Sequence, residues 1–300
     1  MILYGIAMAD YDQESNPPRE HLLTTKEGLT RLALYQSSVG RFANTVGAML
    51  YPVYGQGELP QSFCRCAAVK GCVYVLRMPV IALLVDKNDG SYKGIKLASG
   101  QDIFSENLAL DSNYVIPSHL SSPLKTHDES QIFNKRVARG VCIIRSSLVH
   151  EASNLVIVFP PRSLFSEQIT AVRALQVGSN LAVCPTGMYI LYLSAQCNDI
   201  DGGKKLIMAS MDSILSSPEN PGSAKPELMW SSVYIQELPA AQFGYVCNSP
   251  MPGGAITHTN LLEEAMELFK KMYSGEAFFP EAAKKSKGEE DNEEEEEEKL

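Results

Sequence analysis

Tyr51-Pro52-Val53-Tyr54-Gly55-Gln56-Gly57-Glu58-Leu59-Pro60-Gln61-Ser62-Phe63-Cys64-Arg65-Cys66 joins a rigid turn, a helix start and two opposite charges. Gly55 and Gly57 permit backbone conformations closed to other residues, and Pro60, with no amide proton to lose, suits the start of a helix. The pattern predicts a helix from Leu59 to Lys70. Gly71 ends it, because glycine tolerates the left-handed geometry common at helix C-termini. Glu58 stands at the positive end of the helix dipole and Arg65 lies seven residues on, two turns away, so both point to one side. Two fixed charges on one face orient a protein partner, and the stretch reads as a recognition platform, not a catalytic site.

Around it lies an ordinary globular composition: 300 residues, 45% apolar and 20% charged, enough to bury one large core or two smaller ones. No apolar run approaches the roughly 18 residues that span a bilayer; the longest lie near Val80 to Val85 and Met188 to Ala195. The start, MILYGIAMADYDQ, has no basic leader and soon meets Asp10 and Asp12, which predicts a cytosolic chain. Seven cysteines, at 64, 66, 72, 142, 184, 197 and 247, are odd in number and sit in apolar runs, unlike a secreted disulfide framework. Cys64, Cys66 and Cys72 have no second pair or nearby histidine to complete a tetrahedral metal site. The formal net charge is −9, but residues 281–300 carry ten acids and four lysines, so six of those charges lie there. Such a run repels itself and buries nothing, which predicts a disordered acidic tail and argues against nucleic-acid binding.

Upstream of the platform, Ile2, Leu3, Ile6 and Ala9 suggest one side of a first helix. Thr24 with Glu27 is a capping box opening a second, Thr25 to Val39, ended by Gly40. From Cys72 the period becomes that of strands. Val80 to Asp86 and Tyr92 to Leu97, separated by Asn88-Asp89-Gly90, predict a hairpin. Further strands are expected over Asp102 to Ser105, Leu108 to Leu110, Arg139 to Ile144, Leu155 to Phe159, Thr170 to Gln176, Met188 to Ser194, Leu228 to Gln236 and Tyr245 to Ser249, enough for a large sheet. Two helices interrupt them: Lys204 to Leu215, and Leu261 to Tyr273 with Asn260 and Glu263 as cap and capping partner and Gly275 at its end. The fold class is therefore α+β, with mixed helices and sheet.

Residues 51–80, YPVYGQGELPQSFCRCAAVKGCVYVLRMPV, closely resemble the central motif of the Rab GDP-dissociation inhibitor and Rab escort protein superfamily. Phe63-Cys64-Arg65-Cys66, Leu76-Arg77 and Gly5-Ile6-Ala7-Met8-Ala9 resemble the escort branch. The similarity continues through Asp111-Ser112-Asn113-Tyr114-Val115-Ile116-Pro117, Met188-Tyr189-Ile190-Leu191-Tyr192-Leu193 and Gly275-Glu276-Ala277-Phe278-Phe279. It implies a flavoprotein-like mixed-sheet domain with an inserted helical domain. On that reading residues 1–44 are the end of the helical insert, 45–280 the GTPase-binding domain and 281–300 the tail. The family's N-terminal glycine-rich strand-turn-helix unit has no counterpart here, so the resemblance implies an N-terminally truncated form.

Spacing alone reads Glu58 and Arg65 more plainly as a structural ion pair or cap. The resemblance reverses this, because the family uses the matching glutamate and arginine on the switch surface of a GDP-bound GTPase. It adds Tyr54 and Gln61 to the same face, and Val73 and Val75 as residues pressed on the GTPase; Val73 stands where the inhibitor branch has a threonine-like residue, so apolar contact replaces a hydrogen bond. Gly55-x-Gly57 is only part of a dinucleotide fingerprint, with Pro60 in place of the third glycine. The histidines at 21, 119, 127, 150 and 258 form no triad with serine or cysteine. The resemblance thus implies a non-catalytic subunit with no cofactor. Its partners are GDP-bound Rab GTPases, the catalytic heterodimer of Rab geranylgeranyltransferase and the geranylgeranyl lipid, with only transient membrane contact. Three alternatives stay open: an inhibitor that recycles prenylated Rab, a flavin-dependent oxidoreductase on the same fold, and a fragment without function.

Overall fold

A computed structural model describes residues 2–14, 18, 21–43, 47–111, 135–149, 152–216, 226–238, 242–243, 246–249 and 259–279. Its helices are α1 (Thr25–Ser38), α2 (Glu58–Val69), α3 (Ile200–Ser216) and α4 (Thr259–Met272). The strands are β1 (Val80–Val85), β2 (Tyr92–Leu97), β3 (Asp102–Phe104), β4 (Leu108–Leu110), β5 (Lys135–Arg145), β6 (Leu155–Phe159), β7 (Val172–Gly178), β8 (Met188–Cys197), β9 (Glu227–Leu238), β10 (Gln242–Phe243) and β11 (Val246–Asn248).

The main core is an antiparallel five-stranded sheet, ordered β6-β7-β8-β5-β9, with α3 on one face. Ala138, Cys142 and Ile144 of β5 and Leu191, Leu193 and Ala195 of β8 point to that face at the two-residue period of a strand, and all are fully buried. Leu206, Ile207, Met211 and Ile214 of α3 recur at helical spacing and close over them. Each such side chain contributes about 1.5–3 kcal/mol on burial. The helix comes so close that a Cβ on Gly140 would meet Ile207 Cγ2 at 2.6 Å.

On the opposite face the N-terminal segment is stitched to the residues that lead into β7. Ala171 N–H donates to Asp10 O at 2.7 Å, and Asp12 N–H to Ile169 O at 2.9 Å. Tyr4 and Ala9 pack with Ala171. The guanidinium of Arg173, 1% exposed, donates to the Asp10 carboxylate and to Ala9 O. Arg162 pairs with Asp12, whose hydrogen bond and charge push the guanidinium pKa further up. Tyr11 stacks on His21 with ring centroids 3.7 Å apart. His21 is thus held as an aromatic spacer; the other four histidines lie outside the described residues.

The structure departs from the sequence reading in several ways, among them that α3 begins at Ile200 instead of Lys204. The strands do not build one large sheet: β1-β2-β3 and β10-β11-β4 form two small sheets of their own, the second holding a parallel pairing of β4 with β11. The expected first helix is a five-residue π-helix, Ile2–Ile6, that buries Tyr4 while Ile2 and Leu3 stay exposed. β5 starts at Lys135 instead of Arg139, and β8 runs to Cys197, because β5 is paired on both sides and the ladder carries Arg136 to Ala138 along. β7 starts two residues later than expected, at Val172, since Thr170 makes only an isolated bridge to Tyr11. α4 begins at Thr259, which puts Asn260 inside the helix instead of at its cap. The acidic tail and residues 112–117 lie outside the described residues.

Candidate functional site

The platform is anchored before its helix begins. Tyr54 N–H donates to Leu181 O at 2.8 Å, tying the loop to the 3-10 turn Ser179–Leu181 that follows β7. Gly55 is buried at φ +101, with Val183 Cγ1 only 3.6 Å from where a Cβ would sit. That backbone region is closed to most side chains, so the glycine is required. Gly57 is different. It is the N-cap of α2 at φ −62 and ψ −21, ordinary helical values, and supplies no side-chain cap. Tyr54 itself holds φ +69, unusual for a non-glycine, while its side chain is 72% exposed. Such residues persist where the surrounding structure over-determines them, and they concentrate at functional sites. Just upstream, burial and then the neighbouring Tyr192 push up the pKa of the Tyr51 hydroxyl, as expected of a phenol wedged against the sheet.

The helix ends as the sequence predicts. Gly71, at φ +96, sends its N–H to Ala68 O at 3.0 Å, and Cys72 sends its N–H to Ala67 O at 3.0 Å, the paired bonds of a Schellman motif. The chain then turns back, so that Tyr74 stands beside Cys64 and next to Cys72, whose hydrogen bonding raises the Tyr74 hydroxyl pKa.

No residue of α2 is buried. Glu58, Gln61, Ser62, Arg65, Cys66 and Val69 line one shallow concavity, so the acid and the base share a face at their two-turn spacing. Neither makes an ion pair with any described residue, and Glu58 caps nothing with its side chain. The ion-pair reading is therefore not what the structure holds. Tyr54 precedes this concavity, and Val73 and Val75, at 82% and 59% exposure, follow it; the three are exposed but do not line it. Sequence reasoning did not single out Val69, 86% exposed, as a surface residue, nor weigh Phe63 and Leu76, at 64% and 83%, as contact residues. Their signal was present: Phe63 and Val69 are large apolar side chains on α2 and Leu76 is one in the run that follows it, and exposed apolar patches mark interaction surfaces.

The cysteines at 64, 66 and 72 are free thiols. Among the described residues no cluster of three or more His, Cys, Asp or Glu could hold a metal ion, and no helix is long and apolar enough to cross a membrane.

Residues 4–214 match the model of the family described as GDI, GDP dissociation inhibitor. The chain belongs to the GDP dissociation inhibitor family. Within it the chain is 48% identical to Rab escort protein 1 of Arabidopsis thaliana over 94% of its own length and 54% of the relative's. It is 28% identical to Rab proteins geranylgeranyltransferase component A 2 of Mus musculus, over 93% of the chain and 44% of that protein. The chain thus spans about half the length of the curated relatives it matches. The crystal structure of Rab GDI from Plasmodium falciparum shares the fold at a TM-score of 0.67 and 18% identity, covering 93% of this chain and 57% of that one. The mixed α/β architecture is that of the family.

Proposed function

We propose that this GDI-family chain is a Rab escort component: a non-catalytic subunit that binds a GDP-bound Rab GTPase and presents it to Rab geranylgeranyltransferase. The single observation that carries the reading is the exposed face of α2, on which Glu58 and Arg65 stand beside Gln61 without ion-pair partners among the described residues. Charged side chains exposed on one face set partner orientation and association rate. Tyr54, Val73 and Val75 add exposed apolar surface before and after that face, and tyrosine and arginine are the side chains most often found to carry an interface's energy. The escort branch is favoured over a recycling inhibitor by the 48% identity to Rab escort protein 1.

On this reading the chain needs no cofactor and works in the cytosol. It touches membranes only while handing over a prenylated Rab, and shields the geranylgeranyl lipid on the way. Residues 1–44 are the end of the lipid-binding helical domain, 45–280 the GTPase-binding domain, and 281–300 an acidic tail. Preference for the GDP form follows if α2 meets a surface whose shape depends on the nucleotide, since a ligand shifts an equilibrium only by its differential affinity.

The test is binding of unprenylated, GDP-loaded Rab to the chain and to its Glu58→Ala and Arg65→Ala forms, followed by calorimetry or fluorescence. Each substitution is expected to weaken binding at least about tenfold, the loss of about 1.4 kcal/mol. Unchanged affinity in both variants overturns the site. Capture of the transferase heterodimer by the chain–Rab complex separates the escort reading, which requires it, from the recycling one.

A further inference from the structure

Three thiols crowd the end of α2, and they are not equivalent. The Schellman turn sends the Cys72 N–H back to Ala67 O at 3.0 Å, so Cys72 lies over the last turns of the helix it follows. Cys64 stands three residues before Ala67, one turn back on the same side of α2, and the small Ala67 side chain does not hold the two cysteines apart. The hydroxyl of Tyr74 meets both thiols in hydrogen bonds. Two sulfurs that share one oxygen atom are close neighbours. Both are free thiols, Cys72 exposed and Cys64 partly so. Cys66 is exposed too, but it lines the concavity of Glu58 and Arg65, which Cys64 does not. Elsewhere, burial pushes up the thiol pKa of Cys142, Cys184, Cys197 and Cys247, which withholds the thiolate that exchange chemistry requires.

We propose that Cys64 and Cys72 form a reversible dithiol–disulfide site, oxidised by small-molecule disulfides, that locks the end of α2 when it closes. In the first step the exposed Cys72, as thiolate, attacks one sulfur of a disulfide such as glutathione disulfide, forming a mixed disulfide and expelling one glutathione thiolate. In the second, the Cys64 thiolate attacks the Cys72 sulfur and expels the other. The two protein thiols give up two electrons and two protons, and the small disulfide takes them up as two thiols. A reducing dithiol runs the sequence backwards. Beyond Cys72, the backbone from Val73 to Met78 makes no backbone hydrogen bond to a described residue, which leaves Cys72 room to complete disulfide geometry. Because α2 buries no side chain, one covalent tie across its last turns changes its local opening more than it would change that of a packed helix. An exposed disulfide is also among those most readily reduced again. The bond forms outside the concavity of Glu58 and Arg65 and needs no GTPase, so it stands or falls separately from the Rab reading.

The probe is glutathione disulfide, added to the reduced full chain, followed by alkylation of the remaining thiols, trypsin digestion and mass spectrometry. Cleavage after Arg65, Lys70 and Arg77 puts Cys64, Cys66 and Cys72 on three separate peptides, so the pairing is read directly. The expected product is an intramolecular Cys64–Cys72 bond that dithiothreitol reverses. Cys64→Ser is expected to stop at glutathione attached to Cys72, while Cys66→Ser still closes the bond. In the oxidised chain the amides of α2 are expected to exchange at least about tenfold more slowly than in the reduced one, and oxidant added to Cys64→Ser leaves them unchanged. The pairing in the unaltered chain decides the matter without any variant. Four results overturn the proposal: no reaction at Cys64 and Cys72, glutathione that stays on Cys72 with no bond formed, a bond that uses Cys66 or joins two chains, or a Cys64–Cys72 bond that leaves α2 exchange as it was.

Discussion

Asp10 and Arg173 show how unevenly a buried charge pair divides its cost. The Arg173 side chain is 1% exposed and the Asp10 side chain 28%. Asp10→Ala therefore strands a cation inside the protein, whereas Arg173→Met leaves a carboxylate that water still reaches. Removing one partner of a buried pair costs about 3–5 kcal/mol because of the uncompensated charge left behind. Urea denaturation is expected to show Asp10→Ala losing about that much and Arg173→Met at least 1 kcal/mol less; equal losses would place the energy in packing instead. Cys142, fully buried in β5, gives a pH signature. Burial pushes its thiol pKa from 9.0 up to about 11. In the unfolded chain the thiol ionises first, so its contribution to stability is fully present below pH 9 and is lost as the pH rises toward 11. Cys142→Ala is expected to be less stable at pH 7 for its lost packing, yet to show a shallower decline in Tm between pH 8.5 and about 10.5. Identical slopes would mean that the thiol does not titrate in this way.

At the scale of elements, α2 holds its position by its ends, since its sides are exposed. Gly55 at φ +101 and Gly57 at φ −62 look alike in the sequence and behave differently in the structure. Gly55→Ala is expected to cost about 1–2 kcal/mol, the price of a Cβ in a left-handed region, and to weaken Rab binding by loosening the Tyr54–Leu181 anchor. Gly57→Ser is expected to change stability by no more than about 0.5 kcal/mol. Thermal melts and the same binding titration check both; equal behaviour of the two variants would remove the distinction. This pair also shows what the sequence made legible. The start and end of α2, the capping box of α1 and the hairpin β1–β2 are written in local chemistry, in Pro60, Gly71, Thr24 with Glu27, and Asn88-Asp89-Gly90. Which glycine carries the strain follows from the backbone path of a loop tied to Leu181, far along the chain, and no local pattern reports that. The length of β5 was hidden for the same reason, because its ladder is extended by β8 and β9. The shared face of Glu58 and Arg65 followed from helical spacing, but their lack of ion-pair partners depends on everything that does not approach them.

At the scale of the whole molecule, burial is divided unequally. Among the described residues the five-stranded sheet and α3 hold the larger core, α1 and α2 bury no side chain, and the two small sheets share only Tyr92 and Val246 as buried members of their cluster. A helix of 12 residues with no buried side chain has little but its caps to hold it, since isolated helices of this length are marginal in water. Elements with few buried contacts open locally at a free-energy cost well below that of global unfolding, and binding surfaces are drawn from them. Amide hydrogen exchange is therefore expected to be slowest in β5, β7 and β8, where opening requires exposing Ile144, Val172 and Leu193. In α1 and α2 exchange should be faster by several orders of magnitude, because each kcal/mol withheld from local stability is a factor of about five in the open population. Addition of GDP-loaded Rab should then slow exchange across α2 and leave α1 unchanged. If the α2 amides of the free chain are instead as protected as those of β8, the helix is held by contacts outside the described residues, and the platform docks as a rigid surface with no ordering step on binding.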